Sequence, residues 1–121
     1  MSKRILVVDD QEDLRGVLRD LLIGSGYTVI EAADGETGVA KAKSDRPDLI
    51  LMDIQMPVMD GYEATRRIKA DPALKSIPVI AVTSYALSGD EEKTRAAGCD
   101  GYIAKPYSPR QMLAKVREIL G

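Results

Sequence analysis

The chain contains no histidine. That absence excludes Ser-His-Asp triads, histidine zinc sites and any phosphohistidine of its own. Acid–base or nucleophilic chemistry would have to run on carboxylates, hydroxyls, lysines or the lone cysteine. Cys99 is that cysteine, so neither an internal disulfide nor a thiolate metal cluster can form. This fits a reducing, cytoplasmic setting. Long apolar runs are also missing. The opening stretch from Met1 to Asp10 has too short an apolar run for a signal peptide and no small-residue cleavage site. Nothing approaches the length of a membrane span. Strong charge of one sign is absent as well. A net charge of -2 gives no overall pull towards nucleic acid or an acidic membrane, so contact with neither is expected. What remains is a chain of 121 residues, 45% hydrophobic and 30% charged, which fits one domain whose core needs no staple.

Five short apolar runs recur at regular spacing: Ile5–Val8, Tyr27–Ala32, Asp48–Met52, Pro78–Val82 and Tyr102–Ala104. They are rich in Val, Ile and Leu and lack clean alternation, as parallel strands buried on both faces do. The last is the weakest, being short and preceded by Gly101. Helical patterns lie between them. Leu14, Val17, Leu18, Leu21 and Leu22 take the i, i+3, i+4, i+7, i+8 spacing of one apolar face, and Gly24 and Gly26 end that helix. A second, weaker helix covers about 35–44, with Gly38 inside it costing up to ~1 kcal/mol relative to Ala. Tyr62, Thr65 and Ile68 mark a third, closed by Asp71-Pro72. A fourth is expected from about Ser88 to Ala97, with Asp90, Glu91 and Glu92 in its first turn and Gly98 as its cap. Ser108 can N-cap the fifth with Pro109 at its first position, and Met112, Leu113, Val116, Ile119 and Leu120 form its apolar stripe. Strict β-α alternation with short loops predicts a doubly wound α/β sandwich around a five-stranded parallel sheet.

The polar residues fall at telling places. Asp9 and Asp10 follow the first strand, Asp53 ends the third, Thr83 the fourth and Lys105 the fifth. Open parallel sheets bind ligands at the carboxyl ends of their strands, near the switch in strand order. With the order 2-1-3-4-5, strands one and three are neighbours there, and the three aspartates share one crevice flanked by Thr83 and Lys105. Three crowded carboxylates repel one another and, unless one stays protonated, call for a cation. Lys105 supplies one positive charge, leaving a deficit of roughly two for a divalent ion. Oxygen donors without His or Cys favour Mg²⁺ or Mn²⁺ over zinc. Such a pocket can accept a phosphoryl group in line with a carboxylate nucleophile, for which Asp53 is placed, with Thr83 and Lys105 offering donors to its oxygens. Each residue alone has an ordinary reading: Asp9 or Asp13 as a cap or turn residue, Thr83 as a capping hydroxyl, Lys105 as a solvated charge. It is their joint occurrence at four strand ends that points to a site. Asp60-Gly61 reads as a turn plus a helix cap, and Cys99 as a small buried hydrophobe.

These residues carry a resemblance. Val7-Val8-Asp9-Asp10, the block from Asp48 through Asp53 to Asp60-Gly61, the run Pro78–Thr83 and Tyr102-Ile103-Ala104-Lys105-Pro106 together resemble the receiver domain of two-component response regulators, from end to end. The match is closest to stand-alone, single-domain receivers of phosphorelays. The resemblance implies a flavodoxin-like three-layer sandwich over residues 1–121 with no output domain. It implies that Asp53 takes a phosphoryl group from a sensor histidine kinase or a histidine phosphotransfer protein. It implies Mg²⁺ on Asp10 and Asp53, with Asp9 supporting through water and the Gln55 backbone carbonyl as a further ligand. Thr83 and Lys105 would grip the phosphoryl group, and Tyr102 would be the switch aromatic that swings inward as Thr83 moves. The bond before Pro106 would be cis. The output face for a downstream protein would be the fourth helix, fifth strand and fifth helix, on a monomer or weak dimer. Ser84 stands where Ala or Gly is commoner, and Gln55 and Tyr85 stand where the family tunes phosphoryl lifetime. A protein that serves as its own phosphoacceptor is a switch and not a turnover enzyme.

Two rivals share the fold class. A flavodoxin-like FMN binder would want a hydroxyl- and glycine-rich phosphate loop after the first strand, whereas Asp9-Asp10-Gln11-Glu12-Asp13 repels a bare phosphate. A haloacid-dehalogenase-like phosphatase would want Asp-x-Asp there, which Asp9-Asp10-Gln11 does not supply. A third rival, a degenerate receiver that binds partners without phosphorylation, is opposed by the intact acidic set.

Overall fold

Five β-strands alternate with five α-helices along the chain. They are β1 (Arg4–Val8), α1 (Glu12–Gly24), β2 (Thr28–Ala32), α2 (Gly35–Asp45), β3 (Leu49–Asp53), α3 (Gly61–Ala70), β4 (Val79–Thr83), α4 (Asp90–Ala97), β5 (Gly101–Ala104) and α5 (Pro109–Leu120). These come from a computed structural model that describes residues 2–84 and 90–121. The expected start of the fourth helix at Ser88, the switch-adjacent Tyr85 and the side chains of Asp90 and Glu91 lie outside the described residues. All neighbouring strands pair in parallel, in the order β2-β1-β3-β4-β5. Among the described residues, no helix is long and apolar enough to cross a membrane.

Strand alternation sorts the core into two halves. Leu6, Val8, Ile50 and Met52 point to one face, where Ala42 of α2 and Ala64 and Ile68 of α3 meet them. Ile5, Val7, Leu49 and Leu51 point to the other, against Leu18 and Leu22 of α1 and Met112 and Val116 of α5. The result is the three-layer sandwich that the runs of β-branched residues predict. A buried Leu or Ile contributes roughly 2 kcal/mol, so the doubly covered central strands dominate the stability.

Local chemistry sets the helix ends. Asp60 caps α3 by accepting from the Glu63 amide at 2.9 Å. Ser108 and Gln111 form a reciprocal capping box on α5, with Pro109 at its first position. Gly98, at φ 99°, closes α4, while the Cys99 amide reaches back to the Thr94 carbonyl at 2.9 Å. Gly38 is more than a weak point in α2: a Cβ there would stand 2.9 Å from Cγ2 of Val8, so the helix lies closer to β1 than any side chain permits.

Two local features depart from the pattern. The apolar stripe of α1 is only partly covered, with Leu18 and Leu22 buried but Leu14 47% and Val17 69% exposed. On the loop after β3, Val58 holds a φ of 68° with its side chain fully in solvent. A β-branched residue in that left-handed region costs on the order of 1–3 kcal/mol.

Candidate functional site

The strand register brings the acidic residues together. Val8 of β1 aligns with Met52 of β3, so the next residues, Asp9 and Asp53, emerge side by side. Asp53 aligns with Val82 of β4, and Thr83 with Ala104 of β5. One step further, the Lys105 amide donates to the Thr83 carbonyl at 2.7 Å. Thr83 is fully buried, and Asp53 and Asp9 are buried as well, while Asp10 is exposed at the rim.

One carboxylate oxygen each from Asp9, Asp10 and Asp53 lies within 4.8 Å of the others. Ligands of a single Mg²⁺ stand up to about 4.2 Å apart, so this spread suits a small cation held directly by some of the trio and through water by the rest. The donor set, all oxygen, suits it too. Lys105 Nζ sits 3.4 Å from Oδ1 of Asp53, and the Gln55 amide donates to the same oxygen at 3.2 Å. Burial pushes the Asp53 carboxyl above its ordinary value; the Lys105 ammonium works against that, and Asp9 reinforces it. Burial, then the charges of Asp9 and Asp53, likewise raise the phenol of Tyr107 beside the site.

Among the described residues, each one singled out from the sequence has a definite place. Asp9, Asp10, Asp53 and Lys105 converge on one crevice. Gln55 lies on the loop after β3, its side-chain nitrogen Nε2 buried with no hydrogen-bond partner among the described residues. Tyr102 is half-buried on β5, aligned with Ala81. The Lys105–Pro106 peptide is cis. The ordinary reading of Asp60 as a cap holds, whereas Cys99, expected to be a small buried hydrophobe, is only half-buried against the α3 face, its Sγ 3.8 Å from Oγ1 of Thr65.

Two features of the site's surroundings went unread in the sequence. One is Arg15, whose guanidinium reaches from α1 to the Asp9 carbonyl at 2.7 Å and to Glu31 of β2 at 3.0 Å. An arginine early in an amphipathic helix reads as solvated, and only the adjacency of α1 and β2 exposes its role. The other is an apolar wall beside the crevice, where Leu14 and Val17 join Pro106 and Tyr107 around a groove that also touches Asp9 and Lys105. The apolar spacing of α1 names its members but not which of them a neighbour covers.

The response regulator receiver domain model matches residues 5–117. This chain belongs to the response regulator receiver domain family. The receiver is 44% identical over 121 residues to the polar-differentiation response regulator DivK of Brucella anthropi, covering all of this chain and 98% of that one. It is 38% identical to the receiver domain of a sensor histidine kinase from Pseudomonas aeruginosa, covering 100% and 99% of the two chains at a TM-score of 0.93. That domain was crystallised with a magnesium ion coordinated in its active-site cleft. Chemotaxis protein CheY4 of Vibrio cholerae is 30% identical at a TM-score of 0.93, covering 98% of this receiver and 99% of that chain. Receivers of this family are signalling switches of two-component systems, phosphorylated from histidine kinases or phosphotransfer proteins, and they bind Mg²⁺ at the active site.

Proposed function

We propose that residues 1–121 act as one receiver unit in which Asp53 is the phosphoacceptor. The observation that carries this is the register that sets Asp9 and Asp53 at the adjoining ends of β1 and β3, with Lys105 reaching Asp53 from β5 across the end of β4. An Asp53 carboxylate oxygen attacks the phosphorus of a partner's phosphohistidine. The P–N bond breaks, the imidazole nitrogen leaves with the bonding pair and takes up a proton from solvent, and an acyl phosphate forms on Asp53. Lys105, already paired with Asp53, shifts its ammonium to a phosphoryl oxygen, and the Thr83 hydroxyl donates to another. Asp10, Asp53 and the Gln55 carbonyl would hold Mg²⁺, with Asp9 assisting through water; Mn²⁺ suits the same oxygens. When bound, the cation supplies positive charge that offsets the phosphoryl oxygens and orients them for in-line attack. Because Thr83 is bonded through its backbone to Lys105 of the β5 end, a shift of Thr83 bears directly on β5. Tyr102 on that strand follows inward, changing the face made by α4, β5 and α5 that a downstream protein reads.

Incubation with Mg²⁺ and acetyl phosphate, followed by intact mass measurement, tests the assignment. One phosphoryl mass is expected on the wild type and none on Asp53→Asn. Equal labelling of both would end the proposal.

A phosphodonor histidine has to come from a donor protein or domain outside residues 1–121, which contain none. The exposed Leu14 and Val17 beside the crevice give that protein an apolar footing. Val17→Asp is therefore expected to slow transfer from a cognate kinase at least about ten-fold, the size of one interface contact worth 1.4 kcal/mol. Labelling by acetyl phosphate, which needs no docking, should stay at the wild-type rate. Equal loss in both assays would make Val17 a structural residue instead.

A further inference from the structure

The edge strand β2 contributes no residue to the acidic crevice, yet it holds the turn that does. Both backbone groups of Asp9 are tied to it. The Asp9 amide donates to the Ala32 carbonyl at 3.1 Å. The Asp9 carbonyl accepts from Nη1 of Arg15 at 2.7 Å, and Nε of the same guanidinium bonds Oε1 of Glu31 on β2 at 3.0 Å. The Arg15 side chain is only 14% exposed, so its two contacts are made largely out of water. Glu31 is itself held twice more: Arg19 bonds its other carboxylate oxygen at 3.3 Å, and Lys41 of α2 bonds its backbone carbonyl. The Asp9 carboxylate is fixed separately by the Gln11 amide at 2.8 Å.

We infer that Arg15 and Glu31 are positioning residues for the divalent-cation site, bolting the β1–α1 turn to β2 so that the Asp9 and Asp10 carboxylates face Asp53. The inference rests on reading the acidic trio as an Mg²⁺ site. Arginine suits the task because its planar fork serves two acceptors at once, whereas a lysine ammonium can reach only one of them well. Residues that orient ligands without touching the metal typically account for 10–100-fold in affinity.

The sign of the effect separates positioning from simple charge. Arg15 is a cation bonded to the backbone of Asp9, a member of the acidic trio, so on charge alone its removal should tighten Mg²⁺ binding. Positioning demands the reverse. Calorimetric Mg²⁺ titration of Arg15→Gln and Glu31→Gln, well below their melting temperatures, is expected to show dissociation constants about ten-fold above wild type. Arg15→Lys should fall between wild type and Arg15→Gln. If Arg15→Gln does not fold, Arg15→Lys, which keeps the positive charge so that charge alone predicts no change, carries the measurement. Lowered metal-free melting temperatures with unchanged dissociation constants would make the bridge a structural one and overturn the inference; so would tighter binding in Arg15→Gln. A wild type that binds no Mg²⁺, or an Asp10→Asn variant with wild-type affinity, would overturn the metal-site reading itself and is seen separately.

Discussion

Gly61→Ala is expected to unsettle both the fold and the proposed phosphoacceptor, Asp53. Gly61 begins α3 with its backbone pressed on the end of β3. A Cβ added there would stand 2.3 Å from the carbonyl oxygen of Asp53 and 2.7 Å from Cα of Ile54. Both are backbone atoms and cannot rotate aside. The Gly61 amide also bonds the Ile54 carbonyl at 3.0 Å, which holds the two segments together as the methyl group forces them apart. Overpacking of this kind costs about 3 kcal/mol. In a domain this size that lowers the melting temperature by roughly 10 °C. Because the displaced segment carries Asp53, labelling by acetyl phosphate should fall too, even where the variant is folded. Thermal denaturation beside a Gly24→Ala control checks the cause: nothing lies within 4 Å of a Cβ at Gly24, so that change should be close to neutral. If Gly61→Ala melts with the wild type, the tight contact at the end of β3 does not constrain the fold.

Lys105→Met should lower the rate of Asp53 phosphorylation by about 100-fold or more, the usual result of removing one preorganised charged donor from a site of developing negative charge. Two effects act in the same direction. The phosphoryl oxygens lose a cation that now sits 3.4 Å from Oδ1 of Asp53. The metal-free Asp53 carboxyl also loses an influence that opposes its burial, so it moves further above its ordinary value. Mass labelling over time at saturating Mg²⁺ and acetyl phosphate gives the rate. A variant within two-fold of wild type would remove Lys105 from the path of the phosphoryl group.

Much of this site is legible in the sequence because of how parallel strands are built. A strand covered on both faces reads as an unbroken apolar run, and the first polar residue after it marks its carboxyl end. Asp9, Asp53, Thr83 and Lys105 all stand at such breaks, so their gathering follows once the strand order is known. Helix ends were equally readable where one side chain does the capping, as Asp60 and Ser108 do. What could not be read depends on which elements become neighbours. The stripe on α1 names five apolar residues, but only tertiary packing decides that Leu18 and Leu22 are covered while Val17 is bare. The Arg15–Glu31 bridge joins a helix to a strand 16 positions away and has no periodicity to reveal it. Gly38 reads as a flaw in a helix until Val8 is found beneath it. Gly101 reads as an interruption before β5 but pairs with Ile80 as part of that strand.

The exposed Val58 and Val17 differ from Asp53 and Thr83 in what holds them in place. The acidic crevice is fixed by strands packed on both sides, where nearly every substitution disturbs the core. Val58 and Val17 lie on surfaces that no core residue dictates. On the proposed reading of Val17 as part of the donor's footing, duplicated copies of such a gene can drift apart in whom they answer to while inheriting the same chemistry unaltered. Val58, held in a costly backbone conformation that asparagine or glycine would relieve, is the position where substitution has the least stability to lose.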